Sequence, residues 1–172
     1  MPENTLTWAI SVLKTTPNRW NELTSNLPAP LLTRPPKEEE WSALECLQHL
    51  VDAERLVFPA RVEHILAGRD FPAFDPDSQG SKASSAKTPA ALAEIFAQLR
   101  SQSLAVLERV NEADLGRTAL HAELGLVTLN ELLHEWAAHD LMHTVQAERA
   151  LMQPFIQRSG PWQVYFEDHF VK

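Results

Sequence analysis

His139 and His143 lie four residues apart in the segment LNELLHEWAAHDLMHTVQAERAL, Leu129 to Leu151. On an α-helix four residues turn through about 400°, so the two side chains point the same way, one turn apart. Two imidazoles placed like this can both reach one metal ion. Seven histidines in 172 residues give about 0.24 such pairs by chance, so the spacing alone is a weak motif. The placement is more informative. Leu129, Leu132, Trp136, His139, His143, Gln146 and Ala150 recur at steps of three and four, as on the core-facing seam of a bundle helix. The seam is apolar as far as Trp136 and polar from His139 to Gln146. Two buried imidazoles side by side are costly unless something satisfies them. A metal ion does so and keeps both rings neutral. His134, five residues before His139, points about 140° away and should face elsewhere.

A metal site needs further ligands. The stripe Cys46, His49, Ala53, Leu56, Ala60 carries one histidine among small or apolar residues. If its helix neighbours the His139 helix, His49 could supply a third nitrogen. Three protein ligands leave a position open for water or substrate, the catalytic rather than the structural arrangement. Taken alone, His49 reads more plainly as a core histidine bonded to a carbonyl. Cys46, one turn earlier, is a fourth ligand, a reactive thiol or, as the commoner case, a small buried core residue. Gln146 either bonds a ligand histidine or bound water, or makes an ordinary interior hydrogen bond. Asp140 lies beside the seam, and Glu45 is already engaged in a helix cap. His121, in RTALHAELG, reads as a surface histidine in a connection that reaches the bundle end. Trp162, Tyr165 and Phe166 either wall a pocket or, as the plainer expectation, pack on the core.

The elements that must position these residues are helical. Only five glycines and long Leu/Ala/Glu-rich stretches favour helices, and no strand-type alternation is evident. The first helix spans Asn4 to Leu27, with Thr16-Pro17 either ending it or kinking it. The prolines of LPAPLLTRPPKEEE mark an extended connection. Ser42 and Glu45 form a capping box, with Trp41 placed for a hydrophobic staple. That helix runs to Ala67, is kinked rather than broken at Pro59, and stops at Gly68. Arg69 to Lys87 has no periodicity and is the candidate for part of a substrate pocket, since irregular loops on a rigid scaffold carry specificity. Thr88 caps a third helix, with Pro89 at its first position, running to Val110. The irregular NEADLGRTALHAELGLV leads to a second capping box, Thr128 and Glu131, and a fourth helix to Leu151. The tail GPWQVYFEDHF forms one more short helix that packs its aromatic residues on the body. The pattern predicts an all-α four-helix bundle with long crossover connections and a short C-terminal helix, in a single domain over residues 1–172.

Composition excludes several classes. The net charge of −8 and the absence of a Lys/Arg cluster argue against a nucleic-acid surface. No apolar run approaches the ~18 residues of a membrane span. MPENTLTWAI lacks the basic and apolar blocks of a signal peptide. A single cysteine forms no internal disulfide. Together these point to the cytoplasm.

WSALECLQHLVDAE and VTLNELLHEWAAHDLMHTVQ resemble the DinB superfamily of small metal-binding four-helix bundles. Its members carry a histidine after a Trp-Ser helix start and a His-x-x-x-His pair after a Gly-x-x-Thr-Leu helix start. GLVTLNELL and HDLMHTVQ match that second pattern. The resemblance spans nearly the whole chain and implies His49, His139 and His143 as the ligands of a divalent ion, zinc or nickel. It further implies a small-molecule substrate and a homodimer as an open possibility. Several relatives are thiol transferases or isomerases using a low-molecular-weight thiol, and others resemble metal-dependent hydrolases. The expected function is therefore a metal-activated thiol or water acting on a small molecule. The alternative is a non-catalytic metal- or small-molecule-binding module.

Overall fold

A computed structural model describes residues 5–75, 79–80 and 88–171. The chain runs through α1 (Thr5–Asn26), a single turn α2 (Ala29–Leu32), α3 (Ala43–Leu56), α4 (Phe58–Leu66), α5 (Pro89–Leu107) and α6 (Leu129–Ile156). A short hairpin, β1 (Thr118–His121) and β2 (Gly125–Thr128), precedes α6, and a 3-10 segment, Gly160–His169, follows it. The helices start where their caps require. The Ser42 and Thr128 side chains accept from the backbone N–H of Glu45 and Glu131, whose carboxylates accept in return. Thr88 accepts from the Ala91 N–H. Gly68, at φ +64°, ends α4. Its N–H donates to the Ile65 carbonyl and the Arg69 N–H to that of His64, the paired closure that a left-handed glycine permits.

The bundle is formed by α1, α3, α5 and α6. Both α1 and α3 pack against α5 and α6. α1 therefore sits diagonally from α3, and α5 from α6, and α3 lies beside both α5 and α6. Two hydrophobic clusters make the core. One gathers Leu13, Phe58, Val62, Leu107, Leu129 and Trp136, and the other Trp20, Cys46, Leu50, Phe96, Ala147 and Leu151. Polar residues occupy the level where they meet: Thr16, Glu54, Arg100, Ser103, Asp140 and Thr144 are all buried. Among the described residues no helix is long and apolar enough to cross a membrane.

Several expectations change. Pro17 is accommodated within one continuous α1. The helix after Ser42 is interrupted at Val57 (φ −117°, ψ −78°), because Pro59 has no N–H to continue the ladder. The stripe leaves the core beyond Ala53: Leu56, the last residue of α3, is 48% exposed, and Ala60, past the interruption, is exposed too. α5 ends at Leu107, before Val110, and α6 continues through Pro154 to Ile156, where Gln153 and Ile156 are buried. The irregular segment before α6 contains the antiparallel hairpin, with Ala119 opposite Val127 and His121 opposite Gly125. β1 buries alternate residues, Ala119 and His121, but the types in TALH and GLVT do not alternate between apolar and polar. The tail is helical but does not bury its aromatic rings. Trp162 and Tyr165 are 66% and 73% exposed, and the segment is held through its backbone, Arg149 Nη2 donating to the Asp168 and Phe170 carbonyls.

Candidate metal centre

His49 sits two turns into α3, and His139 and His143 face it from α6. The three rings pack with centroids 5.0 Å (His49–His139), 4.5 Å (His49–His143) and 4.5 Å (His139–His143) apart. His49 Nε2 lies 3.0 Å from His139 Nε2. One nitrogen from each ring falls within 4.8 Å of the others, close enough for a metal ion with metal–nitrogen bonds of about 2.0–2.1 Å. Trp41 stacks on His143 at 5.7 Å and tilts against His49 at 5.0 Å, while Phe58 meets His139 edge-on at 5.1 Å. His134 is exposed, its Nδ1 2.9 Å from the Asn130 carbonyl, and belongs to the outer face.

The hydrogen bonds fix the presenting atoms. His143 Nδ1 donates to Gln146 Oε1 at 2.9 Å, so its Nε2 carries a lone pair. His139 Nδ1 is buried without a hydrogen-bond partner, and its Nε2 faces another imidazole nitrogen. A cation between the rings suits this donor set, because it takes the lone pairs that otherwise confront each other. Burial, reinforced by the neighbouring imidazoles, pushes His49 down to about 4 and His139 to about 3. Burial also lowers His143, against the pull of Gln146 and Asp140. All three rings are thus neutral at pH 7, the form that ligates.

The depressed values set the acid stability of the metal-free protein. In the unfolded chain each imidazole takes a proton near pH 6.5, but in the folded chain His49 does so only at about 4 and His139 at about 3, and His143 below its ordinary value. Between those limits the unfolded state binds more protons, so folding stability falls as pH drops. Above about pH 6.5 the contribution is fully present. Urea melts of metal-free protein at pH 7, 6 and 5 should show this loss. His139→Ala should flatten it and His134→Ala should not; equal slopes in the two variants would contradict the burial of His139.

Cys46 is fully buried in the second hydrophobic cluster. Burial, with the Glu45 charge, pushes its thiol up to about 12, so it stays protonated and takes no part in the cluster. Asp140, beside the seam, is a buried ion-pair residue. Arg100 Nη1 donates to Asp140 Oδ2 at 2.7 Å and Arg100 Nη2 to Oδ1 at 3.0 Å. Arg100 Nε donates to Glu54 Oε1 at 2.7 Å, and the same oxygen accepts from Trp136 Nε1 at 3.1 Å. Ser103 completes the network on Glu54 Oε2. Burial raises the Glu54 carboxyl against the pull of Arg100. For Arg100 burial acts downward, but Asp140 and Glu54 outweigh it and hold the guanidinium above its ordinary value. The sequence carried one signal of this: Arg100 is the only charge between Glu94 and Glu108. His121, expected at the surface, is buried under Phe71.

A cavity of about 650 Å³ adjoins the histidines through Trp41 and Gln146, with Met142 and Val145 on one side and Phe170 and Val171 on the other. The Arg69–Lys87 loop lines a different space. Its residues Phe71 to Phe74 and Gln79 bound a cavity of about 310 Å³ against Val57, Arg61 and His64. The rest of that loop, residues 76–78 and 81–87, lies outside the described residues.

The DinB superfamily profile matches residues 13–147. YfiT of Bacillus subtilis, described as a probable metal-dependent hydrolase with an unusual four-helix bundle topology, superposes with a TM-score of 0.75 at 18% identity over 90% of both chains. The DinB-like protein YjoA of Bacillus subtilis gives 0.57 at 21% identity, covering 86% of this chain and 92% of its own. No curated protein matches the chain in sequence. With the profile spanning most of its length, this chain belongs to the DinB superfamily.

Proposed function

We propose that the chain is a metal-dependent enzyme in which His49, His139 and His143 hold one divalent ion and a small thiol or water acts as nucleophile. The observation that carries this is the convergence of three neutral imidazole nitrogens within 4.8 Å, with no other Cys, Asp or Glu joining them among the described residues. A divalent ion on three neutral ligands keeps its full charge and lowers the pKa of a bound water, and of a thiol more strongly. Imidazole suits zinc and nickel alike. Gln146 holds the His143 tautomer, while Trp41 and Phe58 wall the rings from solvent. The cavity between Trp41 and Val171 takes the small-molecule substrate. The description of YfiT supports hydrolysis as the water-using form of the same chemistry.

In the thiol reaction a sulfur–carbon bond forms as the electrophile's leaving group departs with its electron pair, and the thiol proton passes to solvent. The test pairs cysteine with chlorodinitrobenzene, and separately follows nitrophenyl acetate hydrolysis, using metal-free and zinc- or nickel-loaded protein. Acceleration of either reaction by the loaded protein alone is expected. If neither reaction responds, and thiols leave the spectrum of the cobalt-substituted protein unchanged, the chain is a binding module instead.

A further inference from the structure

Arg61, on α4, is half-buried, and no carboxylate among the described residues lies within ion-pair distance of it. Its guanidinium is oriented by the Phe71 ring, 5.3 Å from Cζ to the ring centroid, and Arg61 Nη2 lies 3.3 Å from His121 Nε2. The tautomer of His121 decides what that contact is. His121 Nδ1 accepts two backbone N–H groups, from Glu123 at 3.1 Å and Leu124 at 3.2 Å. An acceptor nitrogen carries no proton, so the ring proton is on Nε2. Arg61 Nη2 and His121 Nε2 are therefore both donors, and neither can satisfy the other. Two N–H groups that converge without an acceptor call for one between or beside them, and burial makes the omission costly.

The space they face is a cavity of about 140 Å³ walled by Phe71, Leu124, Val127 and Leu132. Its acidic rim is formed by Glu131 and Glu135, and Glu123 also acts on Arg61. The Glu131 carboxylate is already held by the Thr128 N–H and hydroxyl. We infer that Arg61 and His121 form a binding site for the carboxylate of a small monoanionic acid with an apolar body. The paired donors suit a carboxylate's two oxygens, the walls suit an apolar substituent, and the acidic rim disfavours a dianion such as phosphate. The site neighbours the histidine cluster, Glu135 lying one helical turn before His139 and the Arg61 charge reaching that ring, but neither Arg61 nor His121 belongs to the cluster.

The test titrates metal-free and zinc-loaded protein with benzoate, and separately with inorganic phosphate, following the side-chain N–H signals of arginine and histidine by NMR. Saturable benzoate binding is expected in both forms, so a failure of metal binding leaves this result readable. Arg61→Gln should weaken it at least about tenfold, the scale of a lost charge-assisted contact. Arg61→Lys keeps the charge without the planar fork and should still bind, more weakly than the native protein. Phosphate binding as tight as benzoate would overturn the assignment to an apolar carboxylate. Benzoate binding that never saturates, or that survives Arg61→Gln unchanged, would leave the donors to water and overturn the site.

Discussion

His139→Ala is expected to reduce bound zinc or nickel from about one equivalent per chain to less than a tenth, because a three-histidine cluster has no spare ligand. His139 is the ring to remove, since its Nε2 faces His49 and its Nδ1 has no other partner. The loss should appear in stability as well. An ion that binds only the folded state, at a hundred times its Kd, stabilises it by about 2.7 kcal/mol. The native protein should therefore melt higher with metal than without, and His139→Ala should melt at one temperature in both conditions. His134→Ala should behave as native, because His134 is exposed and bonded within its own helix. Elemental analysis of tag-free protein and paired melting curves read both effects. Equal metal content in the two variants would remove the basis for the proposed function.

Arg100→Met is expected to destabilise the fold by about 3–5 kcal/mol, since it leaves buried carboxylates without their counter-charge. Glu54, Arg100 and Asp140 side chains are each 1% exposed, so water cannot replace the missing partner. The destabilisation should ease as pH falls and Glu54, whose carboxyl burial already raises, takes up a proton. The same change should reach the metal. Arg100, from α5, ties Glu54 of α3 to Asp140 of α6, and these helices carry His49 and His139. Loosening that tie should weaken metal affinity by roughly tenfold or more, the range for groups that support ligands indirectly. Urea denaturation measures the first effect and competition with a chelator the second. A stability loss below about 1 kcal/mol would show that the network is solvated, contrary to its burial.

Features set by contacts a few residues apart are legible along the chain. The boxes at Ser42/Glu45 and Thr128/Glu131, the Thr88-Pro89 start and the Gly68 stop are closed within one turn, so the helices they delimit are legible locally. The common direction of His139 and His143 follows from helical rotation alone, as does the outward turn of His134. Which helices touch is settled only when they pack. The diagonal order that sets α3 against α6 brings His49 to the other two histidines, and no local pattern specifies it. Packing also settles which charges are buried. Arg100 meets Glu54 across 46 residues and Asp140 across 40, so no single helical face reveals that these carboxylates point inward. His121 is covered only because Phe71, fifty residues earlier in the chain, pairs its backbone with the hairpin. Ala60 left the core beyond the local distortion at Val57, whereas Leu56 is exposed already at the last residue of α3. The physical reason is common to these cases. Backbone hydrogen bonds and caps are short-range along the chain, whereas burial and ion pairing depend on partners that meet only after the helices have packed.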